Sequence, residues 1–329
     1  MNLYFSFENP FTFHTIKNTA CFTKYIFMKN QKIEQQLQLL KERWFEITDQ
    51  EKILWYLEKV GYHRLAPYFR NANGNIDRVI SFYLFDKRLR LLSLDMLEVI
   101  ENAIKSIIIN YIFPDPKENN RYINSDIYIS ETYDERIKFI KYKTAERKVV
   151  DPIVKRFFKN NPKEKYLPDY IFFEKLTFGE IRQIFKDLKI EYKKEISDYF
   201  WINGFMFEDW IFALKYFRNL CSHYENIFNK TMTISIRSKI IATELWTQNT
   251  FIAYFALLSV FNKLLIPNFD RQNKVIELMK KFRISTIDIW DKQKNLPSEL
   301  ESEAWEVLVN SLYEKHIKKS NLFINEIDQ

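Results

Sequence analysis

Apolar residues recur every three or four positions along most of this chain, the spacing that puts side chains on one face of an α-helix. The first such stripe predicts a helix over residues 33–45, with Trp44 on its apolar face. A second helix should begin at Thr48, because Glu51 follows it at the spacing of a capping box, and should end at Gly61.

The same periodicity continues through the rest of the chain. After an Asn-rich loop at 71–75 it predicts a long helix over 79–113, and after a loop-rich stretch it predicts a basic helical segment over 134–160. Thr177 and Glu180 again have the spacing of a capping box and should start the next helix. Further helices are predicted over 191–200, 207–229, 234–265, 271–282 and 299–317.

Signals for a sheet are missing, since the chain has only 4 Gly and no alternating or β-branched runs between turns. We therefore expect an all-α fold. Its expected organisation is an extension at 1–28, a helical segment at 29–75, a helical core at 76–266 that contains the basic insertion near 134–160, and C-terminal helices at 267–329.

The first 27 residues are aromatic, contain Pro10 and have no clean period, so they match a signal peptide poorly. Two interpretations stay open: translation that begins at Met28, which makes them a disordered or non-native extension, or an N-terminal arm that docks on the fold. The longest apolar stretch, 247–262, is too short to span a membrane and is interpreted as a buried helix. The expected location is the cytoplasm.

The formal net charge is +7, which fits a polyanionic partner but also an ordinary lysine-rich surface. The densest basic run lies in the segment 134–160. It is either a solvated helix face or the wall of a groove that follows an RNA backbone. The residues predicted to contact RNA are Lys141, Arg147, Lys148, Lys155 and Arg156.

His63 and Arg64 fall in a predicted turn near Pro67. They fit a second basic RNA contact, but the favoured interpretation is a histidine that is packed and hydrogen-bonded.

The cysteines number two, Cys21 and Cys221, and they offer neither a disulfide framework nor the spacing of a zinc site. Cys221 falls on the apolar side of its predicted helix and is interpreted as a core residue rather than a nucleophile. The chain also has no glycine-rich phosphate loop and no carboxylate cluster with metal-ligand spacing. No cofactor and no metal site are predicted.

The most distinctive polar set lies on the predicted helix 207–229, in the run Arg218-Asn219-Leu220-Cys221-Ser222-His223. At 3.6 residues per turn Asn219 and His223 share one face, as do Arg218 and Ser222. Arg218 and His223 are about 140° apart on a regular helix, so a bend or a second chain has to bring them together.

These residue types suit the cleavage of RNA by its own 2′-hydroxyl. Imidazole transfers protons near neutral pH, guanidinium binds phosphate through two parallel hydrogen bonds, and an asparagine orients either group. A base takes the hydroxyl proton, a cation stabilises the phosphorane and an acid protonates the leaving oxygen, with no need of a metal. The alternative is a polar patch at a helix end, with His223 hydrogen-bonded to a neighbour.

The run RNLCSH resembles the R-x4-6-H motif of HEPN ribonucleases, in which a polar residue often follows the arginine. Its surroundings are similar to the Abi-like abortive-infection proteins (the AbiD/AbiF group) over residues 29–265. The segments that carry the resemblance are IEQQLQLLKERWFEI, LEKVGYHRLAPYFR, FDKRLRLLSLDMLEVIENAIKSIIINYI and FALKYFRNLCSHYENIFN.

The resemblance implies a HEPN-like helical bundle with additional N- and C-terminal helices, in a defence protein that cuts RNA and stops growth on infection. It implies an RNA substrate and, for some members of the group, a structured non-coding RNA as a partner. It also implies that the long helix packs beside the motif helix, so that Glu101, Asn102 or Lys105, together with Ser222, support the catalytic residues Arg218, Asn219 and His223. The competing interpretation is a Glu101–Lys105 ion pair four residues apart.

The predicted function is a metal-independent endoribonuclease. One chain supplies a single R-x4-H set, and one histidine cannot easily be both base and acid, so we expect a homodimer joined near the motif. The alternatives are a non-catalytic RNA-binding or regulatory protein of the same fold, and an interaction scaffold that binds no nucleic acid.

Overall fold

The computed structural model describes residues 32–112, 120–200, 202–228, 230–238 and 249–265, together with seven single positions between 274 and 314. All regular secondary structure in these ranges is helical, which confirms the all-α class. No helix in the described part of the chain has the length and apolar character needed to cross a membrane. The predicted extension at 1–28 and most of the predicted C-terminal helices lie outside the described residues.

The chain divides into two compact units, Met1–Phe85 and Asp86–Gln329, and the division falls inside its longest helix. Four helices begin in the described residues of the first unit: α1 (Ile33–Glu42), α2 (Gln50–Lys59), α3 (Tyr62–Phe69) and α4 (Ile76–Ile112). The last of them continues into the second unit as one unbroken helix.

The start of α2 is capped by Asp49 rather than by the expected Thr48. The Asp49 Oδ1 accepts a hydrogen bond from the backbone N of Lys52 at 2.9 Å. Thr48 instead donates its hydroxyl to Asp77, 2.8 Å away, and the Lys52 Nζ lies 2.6 Å from the same carboxylate. An aspartate caps a helix as well as a threonine does. The observed cap is therefore one residue later than the predicted one, and Thr48 is bonded to Asp77 of α4 instead.

The expected turn around Pro67 is a helix, α3. Gly61, whose φ is +90°, lets the chain leave α2 and start α3 at once, a conformation that favours glycine. His63 lies on the exposed side of α3, so it is not the packed histidine of the second interpretation. The buried side of the helix consists of Tyr62, Leu65, Tyr68 and Phe69.

The second unit adds seven helices to α4 within the described residues: α5 (Tyr133–Val150), α6 (Pro152–Asn160), α7 (Asp169–Glu174), α8 (Phe178–Asp187), α9 (Ile190–Tyr199), α10 (Gly204–Ser222) and α11 (Phe251–Leu265). Three short 3₁₀ turns between Arg121 and Thr132 lead into α5.

The predicted segment 134–160 is two helices, because Asp151 ends one and caps the other. Its Oδ1 accepts hydrogen bonds from the backbone N of Ile153 at 2.8 Å and of Val154 at 3.2 Å. Pro152 has no N–H to continue α5 but fits the first position of a helix. Asp151 and Pro152 therefore end α5 and begin α6.

The core of the second unit forms around α10, which packs against α8, α9 and α11. Residues 251–262 of α11 are all buried, as predicted for this apolar stretch. Fully burying a large apolar side chain contributes roughly 1.5–3 kcal/mol. The side chains that α10 buries are Phe207, Trp210, Ile211, Ala213, Leu214, Phe217 and Cys221.

Helix α8 begins with the predicted capping box. Glu180 Oε2 accepts from the backbone N of Thr177 at 2.8 Å, and Thr177 Oγ1 accepts from that of Glu180 at 3.4 Å. A Cβ at Gly179 would lie 3.0 Å from Lys215 Cε, near the flexible end of a side chain of α10. Helix α8 is also joined to α5 by a buried ion pair between Asp187 and Arg136.

Candidate functional site

The helix that carries the Arg218–His223 run ends earlier than the sequence predicts. Helix α10 stops at Ser222, and His223 is its C-terminal cap. The backbone N of Tyr224 donates to the carbonyl of Cys221 at 3.3 Å, and that of Glu225 to the carbonyl of Leu220 at 3.0 Å. These two bonds form a Schellman motif, which closes a helix around one residue of left-handed conformation.

That left-handed residue is Tyr224, whose φ is +62°. Glycine usually occupies this position, since a side chain there costs about 1–2 kcal/mol. Tyr224 is 67% exposed, although the apolar spacing of the predicted helix 207–229 places it on the buried side with Phe217 and Cys221. The prediction is wrong here because the chain reverses, and Ile227 and Phe228 enter the core instead.

The three predicted catalytic side chains lie at this closed end. Arg218 and Asn219 are half-buried and His223 is exposed. Within the described part of the chain, none of the three side chains has a hydrogen bond or an ion pair. Ser222 is different, since its hydroxyl donates to the carbonyl of Arg218 at 2.8 Å and so serves the helix itself.

A buried ion pair in α4, Asp86 with Arg90, holds the segment beyond the motif. The Asp86 Oδ1 accepts hydrogen bonds from the backbone N of Ile227 at 3.0 Å and of Phe228 at 2.7 Å. The Arg90 Nη1 donates to the carbonyl of Glu225 at 3.2 Å. Asp86 is fully buried and Arg90 is 5% exposed, so each charge depends on the other and on this segment.

The sequence reasoning missed this pair, although a signal was present. Asp86 and Arg90 are opposite charges four residues apart on the face of α4 that otherwise buries Phe82, Leu89 and Met96. Charged residues on a buried helix face need partners, so these two residues predict a buried polar contact, although the sequence does not identify the segment that makes it.

Cys221 is buried beside this pair and is a core residue, as predicted. Burial raises the pKa of its thiol well above the ordinary value, and the charge of Asp86 adds to the increase. Arg90 and a hydrogen bond with Ser93 lower it, but less strongly. A neutral, buried thiol is a poor nucleophile.

The predicted supporting residues of α4 have no hydrogen bond or ion pair with the motif side chains within the described residues. Glu101 pairs with Lys105 at 3.3 Å, and Lys105 also donates to the carbonyl of Glu174 at 3.3 Å, while Asn102 is exposed. Glu101 lies eleven residues beyond Arg90, about 16 Å along the helix. The interpretation of Glu101 and Lys105 as an ion pair describes their contact, while the supporting role of these residues stays a prediction.

The predicted RNA-binding residues fall into two groups. Lys141, Lys155 and Arg156 are exposed and have no ion pair within the described residues. Arg147 lies 4.0 Å from Glu180, and the Lys148 Nζ lies 4.7 Å from the ring centre of Phe158.

Glu180 also forms an ion pair with Lys143, whose Nζ lies 2.7 Å from its Oε1. Burial of Glu180 acts to raise its pKa, but the hydrogen bonds from Lys143 and from the backbone N of Thr177 outweigh burial and lower it. The carboxylate therefore stays charged, and it neutralises part of the basic run that had been assigned to RNA.

One further cleft of the second unit contains no predicted catalytic residue. A cleft of about 470 Å³ between α4, α9 and the end of α11 is lined by Tyr111 and Tyr199, among others. Among the described residues, no group of three or more His, Cys, Asp or Glu side chains has an arrangement that could hold a metal ion.

Comparison with known proteins gives one match. The sequence model of a family described as Abi-like protein matches residues 55–229, more than half of the chain. The matched region contains both the Asp86–Arg90 pair and the run from Arg218 to His223. Neither a curated protein nor a solved structure matches.

Proposed function

This chain belongs to the Abi-like protein family, and we propose that it is an endoribonuclease of abortive infection that cleaves RNA with Arg218, Asn219 and His223. The family places it among abortive-infection defence proteins. The cleavage reaction and its residues are our proposal.

One observation carries the proposal. An arginine, an asparagine and a histidine lie at a helix end that is closed by backbone hydrogen bonds, and no described residue bonds to their side chains. Most buried polar groups of a folded protein have a partner, whereas the Arg218 and Asn219 side chains are half-buried without one among the described residues. A set that has none is suited to a ligand, and these three side chains together suit a phosphodiester.

The proposed chemistry uses the 2′-hydroxyl of RNA as the nucleophile. A histidine accepts the hydroxyl proton, the 2′-oxygen attacks phosphorus, and the guanidinium stabilises the charge of the pentacoordinate intermediate. Protonation of the departing 5′-oxygen then breaks the P–O bond. The products are a 2′,3′-cyclic phosphate and a 5′-hydroxyl, and Asn219 orients the phosphate or the imidazole.

We further propose that two chains build one site. On a regular helix Arg218 points about 140° away from His223, and a single imidazole cannot readily lie on both sides of the phosphorus. A twofold dimer joined near the motif would bring two arginines and two histidines to one cleft. Lys141, Lys155 and Arg156 would bind the RNA backbone outside that cleft.

A second candidate is an RNA-binding regulator that does not cleave. The exposed cations Lys141, Lys155 and Arg156 favour it, because they could bind RNA, including a structured non-coding RNA, whether or not the motif is active. In that case Arg218 would only hold phosphate.

The two candidates differ in their products. We expect the purified protein to cleave RNA in the presence of EDTA and to leave 2′,3′-cyclic phosphate ends, while His223→Ala binds RNA but leaves it intact. Cleavage that requires a divalent metal, or products with 5′-phosphate ends, would reject the proposed mechanism. Salt-dependent binding by a wild type that leaves RNA intact would favour the regulator, and no binding at all would leave only a scaffold.

Assembly has its own measurement. Light scattering should give the mass of a dimer at concentrations where the protein is active. A monomer that remains fully active at nanomolar concentration would reject the shared site.

A further inference from the structure

The Asp86–Arg90 pair has bonding partners that a stabilising role alone would not select. Taking two charges out of water costs several kcal/mol for each ion, and apolar residues of similar size often replace such a pair at no loss of stability. The described bonds of this pair outside α4 go to the backbone of three residues, Glu225, Ile227 and Phe228. All three lie within five residues of His223.

The closure of the helix does not require a buried ion pair. Helix α1 ends in the same Schellman motif: the backbone N of Trp44 donates to Lys41 at 3.0 Å, and that of Phe45 to Leu40 at 3.1 Å. In residues 32–85 no charged side chain is buried. Asp86 and Arg90, which contact the segment after α10, therefore have an effect beyond ending that helix.

That effect is on the path of the chain beyond the cap. Helix ends fray, and an exposed cap such as His223 would fray with them. Three hydrogen bonds from buried, charged groups to residues 225–228 fix the reversal on one side of His223, and α10 fixes the other side. The backbone of His223 is then held at both ends, although its imidazole is exposed.

We propose that Asp86 and Arg90 are positioning residues, which set the place of the His223 imidazole relative to the scissile phosphate. The inference rests on the proposed function and names the groups that keep its site in register. Displacing a catalytic group by about 1 Å can reduce a rate about 100-fold, so loss of the pair should act on the rate of cleavage.

The test compares Asp86→Asn with Asp187→Asn. Both aspartates are buried and both pair with an arginine, but Asp187 binds Arg136 between α5 and α8. Beside it, Phe185 packs on Phe207, which is about 24 Å along α10 from His223. The two substitutions remove the same charge at different distances from the motif.

Single-turnover cleavage is measured where each variant is folded, with the folded fraction taken from its unfolding curve. We expect Asp86→Asn to lower the rate constant about 100-fold with little change in the RNA concentration at half-maximal rate. Asp187→Asn should keep the wild-type rate constant for its folded fraction. Should both variants lose activity only in proportion to their folded fraction, Asp86 has no positioning role.

Arg90→Lys provides a second variant if Asp86→Asn does not fold. Lysine keeps the charge next to Asp86 but lacks the rigid guanidinium plane whose Nη1 donates to both Asp86 and the carbonyl of Glu225. We expect about a 10-fold loss of rate together with faster hydrogen exchange at the amides of residues 225–228. A wild-type rate with unchanged exchange in Arg90→Lys would overturn the inference.

Failure of the proposed function gives a different result. If the wild type leaves RNA intact, no variant can be ranked by rate, and the proposed function is rejected. Hydrogen exchange then decides whether the pair holds the segment: protection of Ile227 and Phe228 lost in Asp86→Asn but kept in Asp187→Asn supports it, and equal protection in both overturns it.

Discussion

The ends of α1 and α10 have the same backbone geometry. Each is closed by two hydrogen bonds around an exposed aromatic residue in the left-handed region, Trp44 at φ +63° and Tyr224 at φ +62°. The Trp44 side chain is 90% exposed and the Tyr224 side chain 67%. Both helices therefore stop in a strained way, at a position where glycine would be easier.

The two ends differ in how the chain is held after the aromatic residue and in the polar groups beside it. After Trp44, the ring of Phe45 packs on Phe69 with ring centres 5.2 Å apart, and the backbone N of Glu46 donates to Gly74 at 2.7 Å. The cap residue Arg43 donates to the hydroxyl of Tyr62 at 2.7 Å.

At α10 the reversal is held by the buried Asp86–Arg90 pair, and the cap residue His223 has no side-chain partner among the described residues. Strained backbone alone thus does not identify a site, since α1 has it as well. Two features distinguish the end of α10. Its polar side chains have no partner among the described residues, and the buried Asp86–Arg90 pair holds the segment that follows them.

The largest expected difference between the two ends is in catalysis. His223→Ala should reduce RNA cleavage and cell toxicity about 10²- to 10⁴-fold, the range for loss of a general acid or base, and should leave stability nearly unchanged because the side chain is exposed. His63→Ala in α3 is the comparison: as a candidate RNA contact outside the motif it should change RNA binding at most, and not the rate constant of cleavage. An alanine variant at 223 that is as toxic as the wild type would contradict the proposal.

The contacts that hold the chain after α10 and after α1 should differ in how much stability a second substitution recovers. Asp86→Ala leaves Arg90 buried without its partner, so we expect a loss of about 3–5 kcal/mol in the free energy of unfolding, measured by denaturant titration. Adding Arg90→Met removes the unpaired charge and should recover part of that loss. Phe69→Ala leaves a cavity beside Phe45, after the end of α1, and should lower the free energy of unfolding by a similar amount. A double variant less stable than Asp86→Ala would mean that Arg90 has another essential partner.

Periodicity predicted most helices of this chain because an apolar stripe is a local property of the sequence. Where prediction failed, a competing local signal decided the result. Asp151 with Pro152 divided one predicted helix in two, and the reversal at Tyr224 shortened another. Neither Trp44 nor Tyr224 is a residue type from which a left-handed conformation is expected.

The candidate site was predictable in part for the same reason. Arg218, Asn219 and His223 are close in sequence, so their position at one helix end follows from the helix. The partners of the segment after His223 depend on which turn of α4 faces it, and spacing within one helix does not contain that information. The sequence therefore suggested Glu101, while Asp86 and Arg90 make the contacts.

Replacing the two left-handed aromatic residues with glycine tests whether their strain is equal. Trp44→Gly and Tyr224→Gly each relieve about 1–2 kcal/mol of left-handed strain. Glycine loses about 0.5–1 kcal/mol more conformational entropy on folding, so the net gain should be about 0.5–1 kcal/mol at each site. Unfolding curves of the two variants measure it. A gain at Trp44 with a loss at Tyr224 would show that the tyrosine side chain itself stabilises the reversal.

The smallest expected difference concerns acid stability and compares one lysine–carboxylate pair in each unit. Hydrogen bonds from Lys52, and less strongly from Thr48, lower the pKa of Asp77 below its ordinary value of 3.8. Glu180 in the second unit also has a lowered pKa, below its ordinary 4.5, because the bonds from Lys143 and Thr177 outweigh burial.

A carboxyl whose pKa is lower in the folded protein stabilises it above the ordinary pKa and loses that contribution as the pH falls through the lowered value. Below about pH 4.5, the free energy of unfolding should therefore fall less steeply with decreasing pH in Glu180→Gln than in the wild type. The same change of slope should be smaller in Asp77→Asn. The Asp77 side chain is 39% exposed and that of Glu180 only 14%, so solvent screens Asp77 more and its contribution should lie at the low end of about 0.2–1 kcal/mol. Denaturant titrations at several pH values would measure both slopes. A larger change of slope in Asp77→Asn would contradict this ranking by exposure.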